Sequence, residues 1–419
     1  MSTDVSIALV GTSHRVADLD ARQRLALSSS AGADLARALS AEGEAVVLST
    51  CNRTEIYLAG LVLEPLLAQS RFELARVIRL REDELAPLLT AKRGEEAVLH
   101  LFRVAAGLDS LVPGEPQILG QVRDAHGAAR ALASAGPVLN RLFFGAVGAG
   151  KRVRAETALG DQPVSVATAA VELARGFFGD LADRRILLLG AGKMSDVAAS
   201  DLLARGAQKI FVANRTHERA QALARRFGGA AVPFERLVDE LAEADVVVSS
   251  TRCPYLVVRL EQVAQALRLR NRERTLLFVD IAVPRDVDPA VRQLPGCALY
   301  DMDDLGAAAR EQLAGREAGL ARAEAIVAEE TERFWRRHRS LAAQPALASL
   351  RRHAEAIRAA ELAGLSSQQR AVAEAVTARI VNKLLHTPTV RLKEAAASGD
   401  GIMYARALEH LFALAEDAA

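Results

Sequence analysis

The segment Arg185-Ile-Leu-Leu-Leu-Gly190-Ala-Gly192-Lys-Met-Ser195 constrains the fold of this chain more than any other. A buried apolar run that leads through a Gly-x-Gly turn into a helix is typical of a dinucleotide-binding βαβ unit. Gly190 permits the tight turn, and Gly192 lets the backbone approach a pyrophosphate held at the helix N-terminus. Ser195 replaces the third glycine of the pattern. We therefore expect a nucleotide-binding domain in the middle of the chain.

The residues after the second predicted strand of this domain bear on the choice of dinucleotide. That strand is Lys209–Ala213, and Asn214, Arg215 and Thr216 follow it directly. An NAD site places an acidic side chain here to hold the ribose hydroxyls, whereas a guanidinium suits a 2′-phosphate. The sequence thus favours NADPH, and the alternative is that Arg215 is an ordinary surface arginine.

Alternating strands and helices in the same region predict a doubly wound parallel sheet. In such a sheet, ligands bind beyond the carboxyl ends of the strands. The loops at 250–254 and 282–286 leave two of those ends. The further strands are expected at 246–249, 276–281 and 298–300.

A second informative stretch, residues 45–57, predicts two strands joined by a polar turn that contains Cys51. Loops between rigid strands often present reactive side chains. Arg53 could supply a cation that lowers the pKa of the thiol and favours the thiolate. The alternative is a buried structural cysteine beside a turn, because free cysteine often behaves as a small hydrophobic residue.

The N-terminal third reads as strand, helix, strand, strand, helix, strand, which is the split βαβ order of ferredoxin-like sheets. Its first strand is expected to end at Gly11, and helical patterns follow Asp18 and Asp20. The remaining elements are expected as a helix at 31–39, the two strands around Cys51, a helix at 65–78 and a last strand at 88–90.

A helix at 94–106 and the loop after it carry further polar candidates. Its apolar face leaves His100 on the other side, near Glu96 and Arg103, where a solvated histidine is the simplest interpretation. The loop 107–121 is either plain surface or the wall of a polar site. It carries Asp109, Ser110, Glu115, Gln117 and Gln121.

The rest of the chain is helical outside the nucleotide-binding domain. Helices are expected at 121–132, at 137–157 with the basic cluster Lys151-Arg152-Val-Arg154, and at 165–178. Gly160-Asp-Gln-Pro163 predicts a domain junction. From residue 306 onward one long helix to 339 and further helices are expected, either as an oligomerisation domain or as a solvated spacer.

Composition excludes several classes of protein. The net charge of +1 argues against strong non-specific nucleic-acid binding, although it leaves room for a local basic patch. Three cysteines without a CxxC pair give neither a disulfide framework nor a zinc site, so no metal is expected. No apolar run approaches the roughly 18 residues of a membrane span, and no signal peptide is evident. We expect a soluble, cytoplasmic protein of two or three domains.

Several of these motifs together closely resemble the glutamyl-tRNA reductase family, which begins the C5 route to tetrapyrroles. The stretch around Cys51 is the most specific of them, and the motifs span nearly the whole chain. They are Leu48-Ser-Thr-Cys-Asn-Arg-Thr-Glu-Ile-Tyr57, Gly107-Leu-Asp-Ser110, Gly114-Glu-Pro-Gln-Ile-Leu-Gly-Gln121, Gly190-Ala-Gly192, Asn214-Arg-Thr216, Val279-Asp-Ile-Ala-Val-Pro-Arg-Asp286, Tyr300-Asp-Met-Asp-Asp-Leu305 and Asn382-Lys-Leu-Leu-His386.

This resemblance implies a catalytic, glutamyl-tRNA-binding domain at 1–160, an NADPH-binding Rossmann domain at 161–305 and a helical dimerisation domain with a long spinal helix at 306–419. It implies that Cys51 attacks the ester carbonyl of glutamyl-tRNA, that the tRNA leaves, and that hydride from NADPH reduces the thioester to glutamate-1-semialdehyde. It also implies a homodimer and hand-over of the aldehyde to glutamate-1-semialdehyde aminotransferase. Covalent capture divides one difficult reduction into two easier steps.

The resemblance further implies roles for individual residues. His100 would assist proton transfer or orient the site, and Arg53 would hold the substrate carboxylate. The glutamyl group would be recognised by Thr50, Asn52, Arg53, Ser110, Glu115, Pro116, Gln117 and Gln121. The cofactor would be bound by Gly190, Ala191, Gly192, Lys193, Met194, Ser195, Asn214, Arg215 and Thr216. The departures from the usual family pattern are Lys193 and Val112-Pro113.

Two other interpretations compete with this one. A shikimate dehydrogenase-like reductase would also show the Gly-x-Gly turn and Asn214-Arg-Thr216, but it leaves the Cys51 loop and the helical tail unexplained. A catalytically silent tetrapyrrole-sensing or scaffold dimer would keep the fold, and the intact Cys51, His100 and Gly190 argue against it. An NADPH oxidation assay with charged tRNA separates the three.

Overall fold

The computed structural model describes residues 6–157, 159, 165–251, 253–270, 274–311, 317–342, 344–398 and 401–414. They form two compact units, Ser6–Val327 and the residues from 328 onward. The junction predicted at 160–163 lies outside the described residues, and the domain boundaries at 160 and 305 stay predictions.

The first unit begins with a four-stranded antiparallel sheet in the order β2-β3-β1-β4. This order confirms the predicted split βαβ arrangement. Buried leucine, valine and isoleucine side chains of the strands pack against two helices on one face of the sheet. The elements are β1 (Ser6–Ser13), α1 (Leu19–Leu25), α2 (Ser29–Leu39), β2 (Glu44–Ser49), β3 (Arg53–Gly60), α3 (Leu63–Ile78), α4 (Glu82–Leu85) and β4 (Thr90–Arg93).

Two boundaries in this sheet differ from the prediction. β1 continues through Gly11 to Ser13, because the backbones of β1 and β3 approach so closely that a Cβ at Gly11 would lie 2.3 Å from the Thr54 carbonyl oxygen. Gly11 therefore allows the two strands to approach closely and does not end the strand. The last strand begins at Thr90 instead of Leu88, since Ala86–Leu88 form a 3₁₀ turn.

Three helices, α5 (Gly94–Ala105), α6 (Gln117–Ala131) and α7 (Pro137–Glu156), complete this part of the chain. α6 begins at Gln117, four residues before the predicted start, so Gln117 and Gln121 stand on a helix rather than in a loop. The Glu44 carboxylate of β2 accepts hydrogen bonds from the backbone N–H groups of Val138 (3.0 Å) and Leu139 (2.6 Å). A carboxylate there satisfies the free amides of a helix start, so it fixes α7 against the sheet.

The nucleotide-binding region is a six-stranded parallel sheet in the order β10-β9-β8-β5-β6-β7, with helices on both faces. The doubly wound sheet is therefore confirmed. The three-residue strand β7 was not predicted, since Ala-Ala-Val is too short to show a period. The elements are α8 (Val166–Phe178), β5 (Arg185–Leu189), α9 (Lys193–Ala204), β6 (Lys209–Ala213), α10 (His217–Arg226), β7 (Ala230–Val232), α11 (Leu237–Glu243), β8 (Val246–Ser249), α12 (Leu260–Leu269), β9 (Leu276–Asp280), β10 (Cys297–Tyr300) and α13 (Met302–Glu311).

The C-terminal part is helical, as predicted, in α14 (Glu317–Ala342), α15 (Gln344–Ala363), α16 (Ser367–Ser398) and α17 (Gly401–Leu411). Of the single helix predicted at 306–339, residues 312–316 lie outside the described part of the chain. A small cluster around Leu392 and Ala396 joins α15, α16 and α17. Among the described residues, no helix has the length and apolar character required to cross a bilayer.

One face of α16 carries exposed apolar side chains at every fourth position. Val372 is 70 % exposed, Val376 44 %, Ile380 51 % and Leu384 68 %. Residues four apart lie on the same side of a helix, so these four form a continuous stripe. A solvent-facing stripe of this kind is typical of an interaction surface.

Candidate active site

The Cys51 loop is a tight connection between β2 and β3. Ser49 pairs with Thr54 across the strands, and the Thr50 N–H donates to the Arg53 carbonyl oxygen at 2.8 Å. The Thr50 hydroxyl accepts from the Asn52 N–H at 3.2 Å. These bonds fix the backbone on both sides of Cys51 and present it at the end of a rigid hairpin, as the sequence predicted.

Arg53 lies at the centre of a buried polar network. Its side chain is 1 % exposed; Nη1 donates to Glu55 Oε1 at 2.7 Å, and Nη2 donates to Asp109 Oδ2 at 3.2 Å and to the Asp109 carbonyl. Glu55 also accepts from the Tyr57 hydroxyl at 2.6 Å and contacts His100 Nε2 at 2.8 Å. Arg53 lowers the pKa of Glu55 to about 2, so this carboxylate stays ionised.

This network changes the interpretation of two predicted residues. His100 is not a solvated helix residue, because its side chain is 14 % exposed and is held by Glu55 of the neighbouring sheet. Arg53 is not a free guanidinium, because both of its Nη atoms already bind carboxylate or carbonyl oxygens. Direct binding of a substrate carboxylate by Arg53 would require one of these partners to move.

The environment of Cys51 also differs from the prediction. Burial raises the pKa of the thiol to about 12, and the nearby Glu115 carboxylate acts in the same direction. Arg22 and Arg53 act in the opposite direction but are outweighed. The prediction that Arg53 makes Cys51 a thiolate is therefore wrong for this conformation, so nucleophilic attack requires a neighbouring proton acceptor.

Two titratable groups beside the loop have shifted pKa values. Burial raises the pKa of Glu115 to about 7. Burial, assisted by Arg53, lowers the pKa of His14 to about 4, so its imidazole is neutral. The backbone N–H of His14 donates to the Asn52 carbonyl at 3.0 Å. The imidazole Nδ1 of His14 is buried and has no hydrogen-bond partner among the described residues. His14 was not among the residues predicted from the sequence. The feature that could have indicated it is the His14-Arg15 pair directly after a strand.

A cavity of about 350 Å³ opens beside this network. Arg15, which sequence reasoning also missed, lines it with a side chain that is 58 % exposed. Arg15 binds Asp109 through Nε, and no partner is described for its two Nη atoms. The cavity therefore presents the exposed Arg15 guanidinium together with Lys92 and Arg103, and with the carboxylates of Glu55, Glu96 and Asp109. Its polar lining consists of Thr12, Ser13, Arg15, Glu55, Thr90, Lys92, Glu96, His100, Arg103 and Asp109.

The predicted glutamyl-binding residues of the loop 107–121 fall into two groups. Ser110 and Glu115 are each 7 % exposed, and Arg154 Nη2 holds the segment by donating to the carbonyls of Glu115 (3.3 Å) and Pro116 (2.7 Å). Gln117 Nε2 instead donates to Met194 Sδ at 2.8 Å, at the start of α9. Gln121 is half-buried one turn further along α6. Gln117 thus lies between the Cys51 side and the cofactor side.

The glycine turn fits a dinucleotide. Gly190 has φ +103°, and a Cβ there would lie 3.1 Å from the Ser250 carbonyl oxygen, so only glycine is accommodated. At Gly192, by contrast, no atom lies within 4 Å of the Cβ position, which leaves space for a pyrophosphate at the start of α9. Ser195 is buried, and its hydroxyl contacts Ser250 Oγ at 2.6 Å. It therefore serves helix–sheet packing, as the third glycine does in such turns.

The end of β6 offers a cation but no carboxylate. Asn214 Nδ2 donates to the Thr216 carbonyl at 2.8 Å, which shapes the turn. Arg215 is exposed, and no ion pair is described for it. Lys193, the first residue of α9, is exposed as well. These cations suit a phosphorylated ribose.

The Cys51 loop and the glycine turn meet on shared packing. Cys51, Ala191 and Met194 all pack against one hydrophobic cluster, to which Leu111 and Val112 of the loop 107–121 belong. Arg22 of α1, whose side chain is 2 % exposed, binds Asp303 of α13 at 2.6 Å. Arg285 binds Asp20 beside it. The thiol and the cofactor turn therefore belong to one packed assembly within Ser6–Val327.

The loops beyond β8 and β9 are fastened to each other at the carboxyl edge of the sheet. The buried Asp286 carboxylate accepts from the Ser249 hydroxyl at 2.6 Å and from the Thr251 N–H at 2.7 Å. Asp280 accepts from the N–H groups of Asp286 and Val287, each at 2.9 Å. Burial raises the pKa of Asp280 to about 7. This edge is rigid where ligands bind in open α/β sheets.

Comparison with known families accounts for the whole arrangement. Residues 10–157 match the model of the glutamyl-tRNAGlu reductase N-terminal domain, and residues 322–414 match that of its dimerisation domain. Residues 172–308 match the shikimate / quinate 5-dehydrogenase model, which explains why that rival interpretation was plausible from the central motifs alone.

Full-length relatives give the same result. The glutamyl-tRNA reductase of Trichlorobacter lovleyi is 42 % identical over 98 % of this chain and 96 % of its own length. That of Carboxydothermus hydrogenoformans is 41 % identical over 97 % of this chain and 93 % of its own length. The solved structure of the Methanopyrus kandleri enzyme is 35 % identical, with a TM-score of 0.51, and covers 97 % of this chain and 99 % of that one.

Proposed function

Because the chain belongs to the glutamyl-tRNA reductase family, the oxidoreductases of the first step of tetrapyrrole biosynthesis, we propose that it reduces glutamyl-tRNA with NADPH through a thioester on Cys51. The product is glutamate-1-semialdehyde. The observation that supports the proposal is the shared hydrophobic cluster, against which both Cys51 of the β2–β3 loop and residues of the dinucleotide turn pack.

The first half-reaction uses residues of the N-terminal sheet. Cys51 loses its proton to a neighbouring acceptor, for which Glu115 is the candidate, because burial raises its pKa to about 7. The thiolate attacks the ester carbonyl carbon, the bond to the ribose oxygen breaks, and the tRNA leaves with a protonated hydroxyl. His100 orients the site through Glu55 rather than by touching the thiol.

The glutamyl group carries a free carboxylate and an ammonium group, and the site offers partners for both. Arg15, at the cavity, and Arg53, behind it, share Asp109 and supply positive charge. Negative charge comes from Asp109, which lines the cavity, and from Glu115, whose carboxylate lies near Cys51. Thr50, Asn52, Ser110, Pro116, Gln117 and Gln121 are proposed to complete the recognition.

The second half-reaction uses the parallel sheet. NADPH supplies a hydride when bound, which reduces the thioester carbonyl and releases Cys51 as a thiolate. Gly190, Ala191, Gly192 and Met194 would line the dinucleotide, and Lys193, Asn214, Arg215 and Thr216 would surround its phosphates. Gln117 would hold the two sides in register through Met194.

The test of the function is an NADPH oxidation assay with charged glutamyl-tRNA. Uncharged tRNA with NADPH, and shikimate with NADP+, serve as controls, because they separate acyl reduction from the shikimate dehydrogenase-like alternative. We expect NADPH oxidation with charged tRNA and no NADP+ reduction with shikimate. Reduction of NADP+ by shikimate, or no NADPH oxidation with charged tRNA, would reject the proposal.

Arg215→Ala should weaken NADPH binding much more than NADH binding. The guanidinium is exposed, it follows β6, and no carboxylate stands beside it to bind ribose hydroxyls. Titration of both dinucleotides by protein fluorescence measures the ratio, with Arg219→Ala on α10 as a control one turn away. An equal loss for both dinucleotides would mean that Arg215 does not contact the 2′-phosphate.

We further propose that the chain is a homodimer joined through α16. Val376→Glu combined with Ile380→Glu should give a monomer, because two carboxylates cannot be buried unpaired in an apolar contact. Light scattering gives the mass, and Arg379→Glu is a matched control on the same helix. A double variant that still runs as a dimer excludes this face as the contact.

Hand-over of the aldehyde to glutamate-1-semialdehyde aminotransferase is part of the proposed reductase function.

A further inference from the structure

We propose that the exposed face of α6 and α7 binds the acceptor end of the substrate tRNA, and that Phe144 stacks on one of its unpaired bases. This inference rests on the proposed function, because it assumes that the acyl donor is an RNA. Of the predicted site residues, only Gln117 and Gln121 belong to these two helices, and both lie in the first turns of α6. The observations are an uncovered aromatic ring, the cations around it, and the position of both helices relative to the active-site loop.

Phe144 is 58 % exposed, whereas its neighbour Phe143 is fully buried against Tyr57. The Phe144 ring meets His126 edge-on at 4.9 Å between ring centroids, and the Arg130 guanidinium lies 5.7 Å from its centroid. The ring is thus contacted by His126 and Arg130, and Phe144 nevertheless remains more than half exposed. Fixed aromatic rings beside arginine are the platforms on which unpaired bases stack.

The stretch that forms these two helices has an excess of positive charge. Residues 117–156 contain six lysines and arginines against two acidic residues, although the whole chain carries a net charge of only +1. Arg130 and Lys151 are exposed, and no carboxylate partner is described for either. Lys151 lies seven residues after Phe144, which is two turns further along the same face of α7. A backbone of phosphates along this face would meet both cations.

The two helices lead to the catalytic loop. They run antiparallel, because His126 and Arg130, in the second half of α6, contact residues early in α7, whereas Arg154 near the end of α7 contacts Glu115 and Pro116. Phe144 and Arg154 are ten residues apart, or about 15 Å along the helix. A strand that crosses Phe144 and Lys151 therefore travels towards the loop that faces Cys51.

The chemistry favours RNA over a protein partner. The centre of a protein–protein interface is depleted in charge, whereas this ring has Arg130 beside it and Lys151 two turns further along the same helix face. Sequence-tolerant recognition of an unpaired strand requires stacking and positive charge together, and both are present here. The tRNA acceptor end is single-stranded and must reach Cys51, so it is the occupant to which we commit.

The first test measures binding of uncharged tRNA to the full-length protein by fluorescence anisotropy. Phe144→Leu keeps an apolar side chain but removes the ring, and we expect affinity to fall roughly 5- to 100-fold. Phe144→Trp should bind at least as well as wild type. Reduction of an RNA-free glutamyl thioester should be unchanged in both variants. Equal tRNA affinity of Phe144→Leu and wild type would overturn the proposal.

The second test adds charge instead of removing a contact. At Gly148, one turn after Phe144, no atom lies within 4 Å of the Cβ position, so Gly148→Glu places a carboxylate on this face without a clash. Gly176→Glu on α8 is the matched control, because Gly176 is also helical and no atom lies within 4 Å of its Cβ position. Gly148→Glu should weaken tRNA binding several-fold and flatten its salt dependence, while Gly176→Glu should not.

The outcomes separate this inference from the proposed function. If tRNA binding depends on Phe144 but charged tRNA supports no NADPH oxidation, the reductase proposal is wrong and the inference that the α6–α7 face binds tRNA is retained. If reduction works but neither Phe144→Leu nor Gly148→Glu affects tRNA binding, this surface is wrong and the reductase proposal stands. A change of mass in light scattering without a change in tRNA binding would identify the face as a protein contact and overturn the inference.

Discussion

Cys51→Ala is expected to abolish two reactions at once: NADPH-dependent reduction of glutamyl-tRNA and its slow hydrolysis when NADPH is omitted. Both pass through the same thioester in the proposed mechanism, and a methyl group cannot form it. Cys51 is half-buried at the end of a rigid hairpin, so the substitution removes one sulfur and leaves the β2–β3 pairing unchanged. Folding and dinucleotide binding should therefore stay close to wild type.

The measurement is release of labelled glutamate and acid-quench trapping of labelled protein, each with and without NADPH. Wild type without cofactor should accumulate label on the protein and discharge the ester slowly, because water is then the only acceptor. Cys253→Ala is the matched control, since Cys253 is also a half-buried free cysteine but stands beyond β8. More than about a tenth of the wild-type rate in Cys51→Ala would be incompatible with covalent catalysis by this residue.

Arg53→Met is expected to destabilise the N-terminal sheet strongly, by about 3–5 kcal/mol, rather than only to weaken substrate binding. The substitution leaves Glu55 and the side chain of Asp109 buried without their shared cation. Arg15→Met is the control, because Arg15 is 58 % exposed and binds the same Asp109, so its loss should cost at most about 1 kcal/mol. Urea unfolding followed by hydrogen exchange of the β1–β3 amides measures both.

The pH dependence of stability gives this prediction a sign. In wild type the pKa of Glu55 is about 2, below its ordinary value of 4.5, because Arg53 and the contacts from His100 and Tyr57 stabilise the charge. Glu55 therefore contributes stability above pH 4.5, and this contribution disappears as pH falls towards 2. In Arg53→Met, burial without the cation should raise the pKa of Glu55. Lowering the pH should therefore reduce the free energy of unfolding less in the variant than in wild type. An Arg53→Met protein with wild-type stability and pH profile would show that Arg53 is free for substrate.

The sequence by itself determined the architecture of the chain. Hydrophobic periods, glycine positions and the order of elements predicted both sheets, because each strand and helix buries its own apolar residues. The Gly190 turn was recognised from its local pattern of strand, Gly-x-Gly and helix, and the structure shows the positive φ at Gly190 and the open space at Gly192. The resemblance of the Cys51 stretch supplied the family, which the comparisons confirm.

Tertiary structure alone decided the chemistry of the site. Arg53 was predicted to hold the substrate carboxylate and His100 to lie in solvent. In the structure, Asp109 of a distant loop and Glu55 of the same strand hold the buried Arg53, and Glu55 also holds His100 of α5. Likewise the Cys51 thiol has a high pKa because burial outweighs the adjacent arginine. A pKa is the balance between desolvation and charges that can be distant in sequence, so the residue next along the chain does not determine it. For the same reason, the meeting of Cys51 with the glycine turn could be seen only in the folded chain.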